Sequence, residues 1–165
     1  MEYNLPSEIV KDLNFGNNAK IQIIAGVEKL AKAVKSTLGA SGKCVIYEDG
    51  RGKPVVTKDG VTVAQSVVLF DPVENIGATL IKEAANNTVK EAGDGTTTAT
   101  VLAEALIKEV NKDKYNDYTT RQIKEGIISG LEKVNKYLEQ TAIDVTGNML
   151  SDVSAISCNN DADLG

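Results

Sequence analysis

The chain has 165 residues, 42% of them hydrophobic, and a net charge of −5 from 18 basic and 23 acidic side chains, which is enough for one domain with its own core. It has no histidine, which excludes Ser-His triads, imidazole bases and His-ligated metals; aromatics are 4% and tryptophan is absent, which argues against base-stacking platforms. The acidic balance argues against a nucleic-acid binder, which would carry a basic face.

The N-terminus, Met-Glu-Tyr-Asn-Leu-Pro-Ser-Glu, lacks the basic and apolar regions of a signal peptide and is too acidic for a transit peptide. No apolar run approaches a membrane span. A cytoplasmic protein without membrane contact is expected, with Cys44 and Cys158 as reduced thiols, because no CxxC pair exists to hold zinc.

Residues 1–16 read as an N-terminal arm, with Ile9, Val10, Leu13 and Phe15 to dock it. Asn17 or Asn18 is then placed to cap a helix over residues 19–38. Its apolar members Ile23, Ile24, Val27, Leu30, Ala31, Val34 and Leu38 recur at three-to-four spacing, and Gly39 ends it. Cys44-Val45-Ile46-Tyr47 and Pro54-Val55-Val56-Thr57 predict a two-stranded ribbon around a polar tip. Such a ribbon is marginal alone and is expected to pair with something else.

Lys58-Asp59-Gly60 is a charged glycine turn. The stretch 61–67 that follows fits a short helix or an extended segment equally well. Asp71-Pro72 is a strong helix start, and Val73, Ile76, Leu80, Ile81, Ala84 and Val89 carry that helix to Gly93. Further helices are expected with apolar faces Ala99, Leu102, Ala103, Leu106 and Val110; then Ile123, Ile127, Leu131, Val134 and Leu138, capped by Thr119 or Thr120; then a weaker one with Met149, Leu150, Val153 and Ile156.

The chain is organised around Glu91-Ala92-Gly93-Asp94-Gly95-Thr96-Thr97-Thr98-Ala99-Thr100. Glycines on either side of one aspartate permit a tight turn. The helix that follows presents free N–H groups and a positive dipole end, a site suited to phosphate. The hydroxyls of Thr96, Thr97 and Thr98 add donors, and Asp94 supplies a carboxylate for a phosphate-bound Mg²⁺. An ordinary capped helix would also explain the turn, although one cap needs one hydroxyl and three consecutive threonines cost helix propensity. Glycine bends at 38–43, 58–60 and 93–98 all lie at helix ends and would meet if the helices pack antiparallel.

Four stretches resemble group I chaperonins, the GroEL-like ring ATPases of the 60-kDa chaperonin family. They are Phe15-Gly16-Asn17-Asn18-Ala19, Ser36-Thr37-Leu38-Gly39, Thr57-Lys58-Asp59-Gly60-Val61-Thr62-Val63-Ala64 and Ala92-Gly93-Asp94-Gly95-Thr96-Thr97-Thr98-Ala99-Thr100-Val101-Leu102-Ala103. They occur in family order and at close to family spacing. The resemblance implies a mainly α, equatorial-domain-like helical bundle with a small β-ribbon. Residues 17–140 would be the N-terminal half of the ATP-binding equatorial domain, and 141–165 the start of an intermediate domain.

It further implies that Thr37, Leu38, Gly39 and Ala40 line ATP and that Lys58 lies near the phosphates. Asp94 would hold Mg²⁺, and Gly95, Thr96, Thr97 and Thr98 would donate to the phosphates. Asp59 would help orient the attacking water as the catalytic residue. The family usually places proline and lysine after Thr-Leu-Gly; Ala40 and Ser41 stand there instead, which loosens that loop. The family's chains also continue well beyond this length, so an N-terminal portion is expected, lacking the returning half with a further catalytic aspartate. The implied partners are the other subunits of a homo-oligomeric ring and, through an apical domain not in this sequence, a co-chaperonin lid and unfolded clients. An alternative expectation is an assembly module, joining rings of a full-length chaperonin through ribbon and arm without ATPase activity of its own.

Overall fold

The computed structural model describes residues 12–39, 41–147, 149–158 and 163; most of the arm and Ala40 lie outside them. The described chain has the expected mainly α architecture with one antiparallel ribbon. It divides into two compact units, the first ending at Tyr115 and the second beginning at Asn116.

In the first unit, α1 (Gly16–Lys35) buries Val27, Leu30, Ala31 and Val34 along one face. It starts earlier than expected, at Gly16 with Phe15 in the cap position, and neither Asn17 nor Asn18 caps it. A φ of 73° at Gly16 makes the entry turn, one open to glycine at no steric cost. The helix also stops earlier, at Lys35. Ser36 and Thr37 turn their hydroxyls back to donate to the carbonyls of Ala33 and Val34, at 2.6 and 2.8 Å. That satisfies two carbonyls a helix end leaves open. Leu38 therefore lies past the helix and is 48% exposed, not part of its buried face.

The ribbon pairs β1 (Val45–Glu48) with β2 (Pro54–Thr57), Val45 opposite Thr57 and Glu48 opposite Pro54. Its tip is held by Asp49 Oδ1, which accepts from the N–H groups of Arg51 and Lys53 at 2.8 and 2.9 Å. The undecided stretch after Gly60 is helix, α2 (Gly60–Ser66). What decides it is the two ends: Asp59 caps the start, and Lys82 donates to the carbonyls of Gln65 and Val67 at the finish. A cation there complements the helix dipole.

The helix α3 (Pro72–Ala92) begins as expected, with Asp71 accepting from Val73 and Glu74 N–H and proline at its first position, and ends at Gly93 with φ 79°. It packs on α1 so closely that backbone meets backbone. A Cβ on Gly26 would lie 1.8 Å from the Glu74 carbonyl oxygen, and one on Gly77 would lie 2.1 Å from that of Ile23. Val27, Leu30, Val34, Val63, Ala64, Ala78 and Ile81, from α1, α2 and α3, form the core.

The last helix of this unit, α4 (Thr96–Val110), departs from expectation. Its buried stripe is Thr96, Thr100 and Glu104, with Ala103 and Ile107 partly buried against the core, whereas Leu102 and Leu106 are 59% and 49% exposed. The expected apolar face is thus met in part: Ala103 packs on the core, while Leu102 and Leu106 face outward and a polar stripe lies beside the packed apolar residues.

In the second unit, Thr119 caps α5 (Thr120–Thr141) through a capping box with Gln122, and α6 (Met149–Ser157) follows. The expected apolar face of α5 is present, but Ile127, Leu131, Val134 and Leu138 are all exposed. No helix among the described residues is long and apolar enough to cross a membrane.

Candidate functional site

Two ion pairs set the geometry of the site end. Lys35 near the end of α1 pairs with Glu104, and Glu28, two turns earlier, pairs with Lys108 at 2.8 Å. The order reverses between the helices, so α1 and α4 run antiparallel. The end of α1 therefore lies beside the start of α4, and the bend at 38–43 is brought to the bend at 93–98.

The bend at 58–60 joins them through Gly60. This glycine is buried, and a Cβ built on it would lie 2.2 Å from Thr97 Oγ1 and 3.6 Å from Thr37 Oγ1. Thr97 of the 93–98 bend, Gly60 of the 58–60 bend and Thr37, the residue just before the 38–43 bend, thus meet at a single point. Gly60 was not among the expected ligand residues. The signal that could have found it is a glycine at the first position of a helix already capped by Asp59, where no turn requires glycine and only a close approach does.

Gly95, at φ 94°, occupies the cap position of α4 without any side-chain hydrogen bond, so the first-turn amides of Thr96, Thr97 and Thr98 have no capping acceptor. Thr96 is 5% exposed and its hydroxyl is buried with no hydrogen-bond partner. An orphaned buried hydroxyl is costly unless something accepts from it. The uncapped first-turn amides fit a phosphate oxygen; the Thr96 hydroxyl is closed off by protein on the packed face that it shares with Thr100 and Glu104 and does not face such a ligand. Thr100, one turn on, is satisfied by donating to the Thr96 carbonyl at 2.8 Å. Thr98 is exposed, as are Lys58 and Asp94.

Asp94 turns Oδ1 onto the Gly95 N–H at 2.6 Å. Among the described residues no three His, Cys, Asp or Glu side chains gather at one point. A Mg²⁺ held by one carboxylate and phosphate oxygens fits this arrangement, since Mg²⁺ is bound in that way rather than by all-protein cages.

Asp59 is engaged more than its expected role would suggest. Oδ2 accepts from the Thr62 N–H at 2.8 Å and the Thr62 hydroxyl at 2.6 Å, while Oδ1 has only the longer 3.3 Å bond from Val61 N–H. Burial pushes this carboxyl up, but the bonds from Thr62 and Val61 outweigh it and hold it below the usual carboxylate value. A carboxylate depressed in the folded state contributes stability that is complete above its unfolded pKa of about 3.9 and is lost as pH falls through the lower folded value. Asp59→Ala should cost about 1 kcal/mol at neutral pH. In urea unfolding followed by circular dichroism, the gap between wild type and variant should close as pH drops below about 4. A gap independent of pH would contradict the cap.

Residues 30–164 match the sequence model of the TCP-1/cpn60 chaperonin family. Over 156 residues the chain is 45% identical to heat shock protein 60 of Emericella nidulans, an alignment covering 94% of this chain and 26% of that protein. It also superposes on the chaperonin gp146 of bacteriophage EL 2 (Pseudomonas aeruginosa), solved in the presence of ATP-BeFx, with a TM-score of 0.76 and 34% identity, over 88% of this chain and 26% of that one. The chain thus spans about a quarter of the length of each of these relatives.

Proposed function

The chain belongs to the TCP-1/cpn60 chaperonin family, and on that premise we propose that it supplies the phosphate- and Mg²⁺-binding half of an ATP site in a chaperonin that assists protein folding. The observation that carries this reading is the meeting of Thr37, Gly60 and Thr97 at one point beside an uncapped helix start.

In this reading the amides of Thr96, Thr97 and Thr98 and the hydroxyls of Thr97 and Thr98 donate hydrogen bonds to phosphate oxygens. Thr37, Leu38 and Gly39 form the opposite wall. Lys58 adds a point charge on the exposed side. Mg²⁺, held by Asp94 and the phosphates, would neutralise charge on the transferring group. Asp59 orients water through Oδ1, the oxygen its capping bonds leave freer. Catalysis here is positioning and electrostatics, so half a cup should bind without turning over. Calorimetric titration of the 165-residue chain with Mg·ATP should give weak, saturable binding, with negligible phosphate release. Absence of binding, or hydrolysis at the rate of a full-length relative, would overturn the reading.

A second reading, an assembly role for the ribbon, is favoured by one observation. Ile46 and Val56 sit opposite each other across the strands and are 70% and 62% exposed. Sedimentation with and without a full-length relative discriminates: a strict monomer in both removes this reading.

A further inference from the structure

Glu104 is a buried carboxylate that the nucleotide reading leaves unused. Its side chain is 8% exposed, it lies two turns along α4 from Thr96, and it shares the packed face with Thr96 and Thr100. Lys35 of α1, 41% exposed, reaches in to an ion-pair contact with Oε2 that is not an aligned hydrogen bond, and Lys108 stands 3.9 Å from Oε1. Lys108 is itself paired with Glu28. Four charges therefore alternate across one helix contact. Stripping water from a carboxylate is expensive, and a well-packed apolar pair in its place is often at least as stable. Stability alone is thus a poor reason for this arrangement. Apolar faces slide against each other at little cost, whereas a buried ion pair is satisfied at one register only.

Position gives that register a consequence. Lys35 is the last residue of α1, immediately before Ser36 and Thr37, and Glu104 is on the helix whose first turn is Thr96, Thr97 and Thr98. We propose that the Lys35–Glu104 pair is a positioning strut for the phosphate end of the nucleotide site. It fixes the axial register of α4 on α1, and so the spacing between Thr37 and the donors at 96–98. The role in binding rests on the ATP-site reading above; the register it sets does not.

The test separates the two. Lys35→Met with Glu104→Leu replaces the ion pair by apolar side chains, and Lys35→Arg keeps the cation. Two quantities are read besides the thermal midpoint: Mg·ATP affinity by calorimetry, and the dipolar distance between nitroxides at positions 32 and 105, both exposed, in a background with Cys44 and Cys158 changed to serine. The apolar pair should keep the midpoint, lose about tenfold in affinity, since misplacing a binding group by about 1 Å is felt at that scale or above, and show a shifted or broadened distance. Lys35→Arg should retain both. If the apolar pair does not fold, Glu104→Gln, nearly isosteric, reads the same two quantities with smaller changes in the same direction. An unchanged distance and affinity in a folded variant overturns the strut. If the wild-type chain binds no Mg·ATP, the site reading fails, and the distance alone then decides whether the pair sets register.

Discussion

Gly26→Ala is expected to destabilise the first unit by about 3 kcal/mol or more, the upper range for overpacking. The added methyl would lie 1.8 Å from the Glu74 carbonyl oxygen, 2.6 Å from its carbon and 2.9 Å from its Cα. All three are backbone atoms in the first turn of α3, where Asp71 caps and Pro72 stiffens the chain. No side chain can rotate out of the way, so α1 and α3 must separate, and the core residues between them, Leu30 and Ile81 among them, lose contact. Gly77→Ala should do the same from the other side, through Ile23. The control is Gly126→Ala on α5, where nothing lies within 4 Å of the added carbon; there alanine should raise stability by about 1 kcal/mol through helix propensity. Urea unfolding of the three variants gives the comparison. Equal midpoints for Gly26→Ala and wild type would mean that the helices do not touch where the structure has them touching.

Asp94→Ala should leave folding alone and reverse the metal dependence of nucleotide binding. The side chain is exposed and makes only the local bond to Gly95 N–H. Without Mg²⁺, a carboxylate beside a triphosphate repels it, so the variant should bind metal-free ATP as well as wild type or better. With Mg²⁺, the variant loses the protein's single carboxylate at this turn, and affinity should fall on the order of 10- to 100-fold, the scale for losing support to a bound metal. Paired titrations with Mg²⁺ and with chelator measure both signs. A loss of equal size in the two conditions would assign Asp94 to holding the turn instead of the ion.

Much of this arrangement was legible in the chain because glycine, proline and aspartate act locally. Asp71-Pro72 started a helix and Gly93 ended it on residue types alone, and both held because each is a bond or a φ requirement within one turn. The stretch after Gly60 was ambiguous because its outcome depends on Lys82, far along the chain, reaching back to its last carbonyls. The facing of α4 was legible only in part: Ala103 packs on the core as expected, but Leu102 and Leu106 are exposed while the helix buries Thr96, Thr100 and Glu104. A buried polar stripe becomes visible only when its partners are placed, here Lys35 for Glu104. Likewise the phosphate-binding turn at Asp94 to Thr98 follows from residue types alone, whereas the close approach at Gly60 appears only once the helices are packed.

The claim that these bends make one phosphate cup is tested most directly by amide chemical shifts during a Mg·ATP titration. Thr37, Leu38 and Gly39, Asp59 and Gly60, and Gly95, Thr96, Thr97 and Thr98 should all move, and their curves should fit one dissociation constant. Shifts confined to a single bend, or midpoints that differ from bend to bend, would mean that the three are neighbours without a common ligand.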